Sequence, residues 1–401
     1  GDGLETGTGG EAEITAEVFD HQGFETISTV TVEAEGFFDG VMELDYVERT
    51  GDESWLYSGT IRNTWGYGGE HPVLVRAVDT EVDQNLGPID AWWVTSVNLD
   101  AEGWARTWGG SKGDGGYAVA VDEFGNAYVA GEYADTVDFD PGDGIDCRTA
   151  GESYDAFLSK FDSHGDYIWT RTWGGNGGGA AYGVSIDSFG NIYVAGKFFG
   201  EVDFDPGPGV DNHDSGYCPA PFLSKFDSSG DFIWARAWSS SMWDAVLGAY
   251  GLAVDGEGNA FLTGYFYGTV DFDPGPDEDK HTSHHQCDIY LCKIMSDGDF
   301  AWARSWGGET DDGSHGIAVD ITGNSYVTGH FGDIVDFDPG AGEDIHTAIR
   351  VQDAFLSKFD PLGNFIWART WGGQQHDTGY SVAVDSNQNA YVAGYFRDTV
   401  D

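Results

Sequence analysis

The sequence returns to itself about every 65 residues, and this period constrains the fold more than any other feature. The pattern Trp-x-Arg-x-Trp starts at Trp104, Trp169, Trp234, Trp302 and Trp367, at spacings of 65, 65, 68 and 65. A second signature ends at Asp122, Asp187, Asp255, Asp320 and Asp385, in contexts such as AVAVDEFGNAYVAG and GIAVDITGNSYVTG. A third, VDFDPG, begins at Val137, Val202, Val270 and Val335 and is entered again at Val400-Asp401. A fourth, DAFLSKFD or a variant, centres on Lys160, Lys225, Lys293 and Lys358. A unit that recurs in fixed order is one that buries its apolar surface against its neighbours rather than alone.

Within a unit the pattern is that of four short strands. YAVAV (117–121) leads through a turn containing Gly125 and Asn126 to AYVAG (127–131). AFLSKF (156–161) leads through His164, Gly165 and Asp166 to YIWTRTW (167–173). Period-two alternation with Gly-Asn or Gly-Asp turns is the signal of antiparallel hairpins. Four such strands per repeat predict an all-β chain of propeller blades. The small residues of the first strand suit a crowded axis, and the tryptophans of the fourth suit the broad rim.

The order WARTWGG, then GYxVAVDxxGNxYVAG, then DAFLSKFD resembles the bacterial β-propeller repeat of the SBBP type. The AVDxxGNxYV hairpin is also similar to NHL repeats. The resemblance covers roughly residues 101–401 and implies an extracellular or cell-surface protein. This chain carries DFDPG where that repeat carries DFP, so no loop role carries over.

Residues 1–10 are glycine-rich and polar and read as a linker. Residues 11–98 hold no copy of the repeat but alternate as strands, for example at Ile14, Ala16 and Val18 or Val73, Val75 and Ala77. Such alternation between turn residues predicts an Ig-like β-sandwich. The propeller repeats then occupy 101–401, as four full units and a partial one. The sequence starts the repeat on a fourth strand and stops inside VDFDPG, which reads as part of a longer propeller.

Charge narrows the partners. The 401 residues include 69 acidic and 18 basic ones, a formal net charge of −51. Such a surface repels nucleic acid and anionic membranes. It suits divalent cations, cationic partners or a halophilic setting. No apolar run reaches membrane-spanning length. Four cysteines are too few for a disulfide scaffold.

The loops between second and third strands concentrate the acid. Segments 135–155, 200–220, 268–288 and 333–353 hold 24 of the 69 acidic residues. Each carries an Asp-x-Asp pair: Asp138 and Asp140, Asp203 and Asp205, Asp271 and Asp273, Asp336 and Asp338. Calcium takes six to eight oxygens, roughly, from carboxylates, carbonyls and water, and these loops are candidate calcium sites. Asp-Pro-Gly is also a ready β-turn in which the aspartate accepts backbone N–H bonds. Both readings stand on the sequence.

Half of the basic residues, nine of 18, fall at two repeat positions: Arg106, Arg171, Arg236, Arg304 and Arg369, with Lys160, Lys225, Lys293 and Lys358. Their regularity predicts a structural role, with each arginine set between tryptophans for cation–π contact. The third unit departs from the pattern. Trp238 to Asp255 spans 17 residues where the other copies span 14, and the insertion brings in Met242 and Trp243. The same unit holds His284, His285 and Cys287, residue types that suit zinc or copper. Met242, Trp243, His284 and His285 are the candidate ligand-binding residues. No catalytic motif is present: there is no G-x-S-x-G, H-E-x-x-H or P-loop. The expectation is a secreted or cell-surface, non-catalytic propeller that binds a protein or glycan, with calcium in its acidic loops. The alternative is a lectin or carbohydrate-active enzyme with its site at the channel.

Overall fold

The computed structural model describes residues 104–397 except 176, 217 and 240–244, with backbone only for 245–247, and before residue 104 the backbone of six strands. The chain divides into two compact units, Gly1–Ala105 and Arg106–Asp401.

In the first unit the strands are Glu11–Phe19, Thr29–Glu33, Met42–Arg49, Ser54–Arg62, Gly69–Val78 and Trp92–Leu99. They pair antiparallel in the spatial order first, fourth, third, second, fifth, sixth. The packing that would define an Ig-like sandwich lies outside the described residues, as does the expected linker.

The second unit is all-β; among the described residues there is no helix, hence none long and apolar enough to cross a membrane. Its first sheet is built from Gly115–Val121, Ala127–Tyr133, Asp155–Phe161 and Tyr167–Trp173, hydrogen-bonded in sequence order. The second uses Gly179–Ile186, Ile192–Phe198, Ala220–Phe226 and Phe232–Ala237; the third Ala245–Val254, Ala260–Tyr267, Asp288–Ile294 and Phe300–Trp306. The fourth uses Gly313–Val319, Ser325–Phe331, Asp353–Phe359 and Phe365–Trp371, and a last hairpin pairs Thr378–Val384 with Ala390–Tyr395. All four sheets are antiparallel meanders, as the repeat pattern predicts.

The first turn of each unit is fixed by the signature aspartate. Asp122 Oδ1 accepts the backbone N–H of Phe124 and Asn126 at 3.0 and 2.9 Å, while Oδ2 accepts the Asn126 amide at 2.8 Å. Asp320 does the same with Thr322 and Asn324. Burial pulls its carboxyl up, but these hydrogen bonds outweigh burial and hold the pKa at about 2.

The core lies between sheets rather than within one. One apolar cluster joins Tyr128, Leu158 and Trp173 of the first sheet to Ala181, Ile192 and Phe226 of the second. The next joins Tyr193 and Trp234 to Leu262 and Tyr290, and a third joins Phe261 and Trp306 to Val327 and Phe359. Both faces of the middle strands are therefore covered, and every residue of Ala220–Phe226 is buried. Each buried large side chain contributes roughly 1.5–3 kcal/mol. This is the physical content of the repeat, since one sheet alone would leave both of its faces in water.

The acidic segment after the second strand is more ordered than the loop that the sequence suggests. It forms a two-stranded ribbon in every unit: Thr136–Asp138 with Cys147–Thr149, Glu201–Asp203 with Asn212–Asp214, Thr269–Asp271 with Lys280–Thr282, and Ile334–Asp336 with Ile345–Thr347. Buried Val137 and Phe139, and their counterparts, pin each ribbon to its sheet.

Candidate functional site

The paired aspartates sit at the ribbon tips and are turned onto the backbone. Asp138 Oδ1 accepts the N–H of Asp140 at 3.2 Å and of Asp146 at 2.9 Å, and Asp140 Oδ1 accepts that of Gly142 at 2.8 Å. The other tips repeat this. Asp203 and Asp205 bind the N–H groups of Asp205, Asp211 and Gly207; Asp271 and Asp273 bind those of Asp273, Asp279 and Gly275. Asp336 and Asp338 bind those of Asp338, Asp344 and Gly340. These bonds are what an Asp-Pro-Gly turn requires. Among the described residues, no group of three or more His, Cys, Asp and Glu side chains converges in a way that would hold a metal ion.

The regular cations reach from each sheet to the next. Arg171 stands 4.9 Å over the Trp169 ring and donates Nε–H to the Gly230 carbonyl at 2.8 Å and Nη2–H to that of Ser229 at 3.2 Å. Arg236 reaches the Gly298 carbonyl at 2.7 Å, and Arg304 those of Gly363 and Leu362 at 2.9 and 3.1 Å. Lys160 and Lys225 donate to Ser228 and Ser296 at 3.1 and 2.8 Å, again in the following unit. The second tryptophan of the motif completes the joint: Trp173, Trp306 and Trp108 pack on Phe226, Phe359 and Phe161, at centroid distances of 5.5, 5.0 and 5.0 Å. These second tryptophans thus lie in the seams between sheets rather than forming open platforms on the rim.

The special residues of the third unit do not form one site. His284 Nδ1 pairs with the buried Asp288 at 2.8 Å, whereas His285 Nε2 turns to Glu309 at 3.0 Å. Burial first, then Asp311, pushes the Cys287 thiol up to about 11, the opposite of what a thiolate ligand needs. The four cysteines form no disulfide with one another. Met242 and Trp243 lie outside the described residues. His281 and His346 behave as repeat residues, each bonded through Nδ1 at 2.8 Å to a fourth-strand hydroxyl, of Ser305 and Thr370.

The structure reveals a set of residues that the motif reading passes over. The first strand of every unit carries a β-bulge at the same place, and there it leaves one residue unpaired: Tyr117, Tyr182, Tyr250, His315 and Tyr380. A bulge re-aims the side chain of its extra residue. Here the five side chains meet in sequence along the edges where the first strands neighbour one another. Ring centroids are 5.4 Å apart for Tyr117 and Tyr182, 5.3 Å for Tyr182 and Tyr250, 6.3 Å for Tyr250 and His315, and 5.4 Å for His315 and Tyr380.

Each of the first four has a companion on the second strand, and the companions differ. Tyr117 donates its hydroxyl to Glu132 at 2.7 Å. Lys197 lies 5.3 Å over the Tyr182 ring. Tyr265 stacks on Tyr250 at 5.1 Å, with the two hydroxyls 3.2 Å apart. His330 stacks on His315 at 5.2 Å, with Nε2 of His315 3.2 Å from Nδ1 of His330. Burial, then His315, holds the His330 imidazole down to about 4, and burial lowers His315 as well. The signal was present in the sequence: a Tyr or His stands five residues before every signature aspartate, next to a Gly or Ala.

Repeated four-stranded antiparallel sheets that cover one another's faces are the blades of a β-propeller repeat protein. The family model and the WD-repeat relative agree. The SBBP family model, described as a beta-propeller repeat, matches residues 360–395. That stretch straddles two sheets, running from the turn before the fourth strand of one to the second strand of the next. An uncharacterised WD-repeat-containing protein of Acanthamoeba polyphaga mimivirus is 24% identical over 247 residues, 53% of this chain and 18% of that protein. A protein of unknown function from Bacteroides caccae aligns at 9% identity and a TM-score of 0.28, covering 76% of this chain and 91% of that one.

Proposed function

We propose that this chain is a non-catalytic binding and structural part of a secreted or cell-surface protein. The observation that carries this reading is the uniform use of its reactive groups. Arginines and lysines join neighbouring blades, signature aspartates hold turns, and paired aspartates hold ribbon tips, copy after copy. A catalytic centre instead needs groups particular to a few blades, gathered in one pocket and set at the task's protonation state. The surface, at −51, directs partners toward cationic or uncharged chemistry and away from nucleic acid.

A second reading, a lectin or carbohydrate-active enzyme at the channel, draws support from the first-strand row of aromatic residues and its varying companions. A screen of the purified chain against immobilised glycans and extracellular proteins, with product analysis of any glycan bound, tests both. Binding without turnover supports the first reading. Turnover of a bound glycan would replace it with the second.

A further inference from the structure

The first-strand row differs from every other repeated feature of the molecule. Positions that build the blade keep their residue type from copy to copy, while the second-strand companions run Glu132, Lys197, Tyr265 and His330. Packing alone has no use for that variety. A carboxylate, an ammonium, a phenol and an imidazole cannot substitute for one another in a common seam. A surface that recognises something can use all four. The row is reachable as well, since Tyr117 is 50% exposed and Tyr380 55%, with Tyr182, Tyr250 and His315 partly buried between them.

We propose that this row, Tyr117, Tyr182, Tyr250, His315 and Tyr380 with Glu132 and Lys197 at one end, is a binding site for an uncharged oligosaccharide. Tyr182, Tyr250 and Tyr265 stack on one another, so the middle of the row offers ring edges, and its more open ends, Tyr117 and Tyr380, offer more ring surface to the C–H groups of sugars, while phenol, imidazole, carboxylate and ammonium groups bond to hydroxyls. The centroid steps of 5.3–6.3 Å are comparable to the advance of one sugar ring along a chain, so successive residues meet successive blades. The chemistry excludes the other common occupants. An apolar ligand would strip water from the Glu132 carboxylate and the Lys197 ammonium and supply no polar group in exchange, and a polyanion would meet the field of a strongly acidic molecule. This inference rests on the binding-module reading and supplies its ligand class.

The test is titration calorimetry of the purified chain with cellohexaose, chitohexaose and xylohexaose, repeated on Tyr182→Ala, Tyr182→Phe and the pair Glu132→Gln with Lys197→Gln. The expected result is binding of at least one hexamer. Tyr182→Ala should weaken it tenfold or more, Tyr182→Phe only slightly, and the end pair should change which hexamer is preferred while the melting temperature stays put. Binding that all variants leave unchanged would overturn the row as the site and leave the binding-module reading standing. No binding of any hexamer by a folded chain would overturn the ligand class. Release of shorter sugars would overturn the non-catalytic reading itself. Because Tyr182→Ala also loosens packing, the end pair, half-buried and outside the apolar clusters, decides whether a loss is recognition or unfolding.

Discussion

Arg171 donates its Nε–H to the carbonyl oxygen of Gly230 across 2.8 Å, although 59 residues separate them in sequence. The bond ties the fourth strand of one blade to the last turn of the next. Replacing Arg171 by Met keeps the apolar stem over Trp169 but leaves the carbonyls of Gly230 and Ser229 to water. The expected cost is about 1–3 kcal/mol, for lost hydrogen bonds from a charged donor. Arg171→Lys should recover only part of it, because the ammonium lacks the planar fork that serves two carbonyls. Urea denaturation of the three proteins measures both.

Gly230 is fixed by two demands at once. Its φ is +79°, in the left-handed region, and a Cβ there would stand 2.8 Å from Cζ2 of Trp169. Gly363 repeats the arrangement against Trp302, with φ +76°. Gly230→Ala is expected to destabilise by roughly 1–3 kcal/mol, the range for strained backbone. Gly256→Ala, where a Cβ meets nothing within 4 Å, should change stability far less. The difference between these two midpoints is the measurement.

At the ribbon tips, one oxygen of Asp203 accepts two backbone N–H groups, from Asp205 and Asp211. Asp203→Ala frees both and should cost about 1–2 kcal/mol by the usual worth of such bonds. Loss of protection in hydrogen exchange should be confined to residues 201–214. If the carboxylates serve as turn caps, millimolar calcium leaves the melting temperature of the native chain where it is. A calcium-dependent rise would instead assign the tips as cation sites, because a ligand that binds only the folded state must stabilise it.

Acid sensitivity should trace to the stacked histidines. Burial, then the neighbouring His315 and His376, holds the folded His330 imidazole at about 4 against an ordinary value of 6.5, with Asp311 opposing. Between those values the unfolded chain takes up a proton that the folded chain refuses. Stability therefore falls as pH drops from about 6.5 to about 4, and recovers as it rises. His330→Gln should flatten that part of the stability–pH profile.

The blades were legible because their signals are local and repeated. Tyr167–Trp173 matches the expected strand to the residue, and the AVDxxGN turn is held by the aspartate that marks the end of its signature. The first-strand row was not, because strict alternation is broken at the bulge. Tyr117 has no cross-strand partner, so its side chain belongs to neither face that period two predicts. The ribbon was read as a loop for a different reason. Its strands are three residues long, below the length at which alternation can be recognised. The cationic seam is half legible: the motif predicts cation–π contact, but the carbonyl acceptors lie in the next repeat, and spacing alone does not name them.

The central claim is that successive repeats stack face to face, each closing its neighbour's core. Ala156 in the third strand of one blade and Gly179 in the first strand of the next offer a direct probe, since a Cβ on Gly179 would stand 3.9 Å from that of Ala156. That separation lies inside the range of about 3.5–4.5 Å that a disulfide needs. Ala156→Cys combined with Gly179→Cys, in a chain whose four native cysteines are replaced by alanine, should form a 156–179 disulfide on mild oxidation of the folded monomer. Peptide mapping would find that link and no other. Two thiols that stay reduced in the folded chain, or that pair only between molecules, would contradict the stacking of blades.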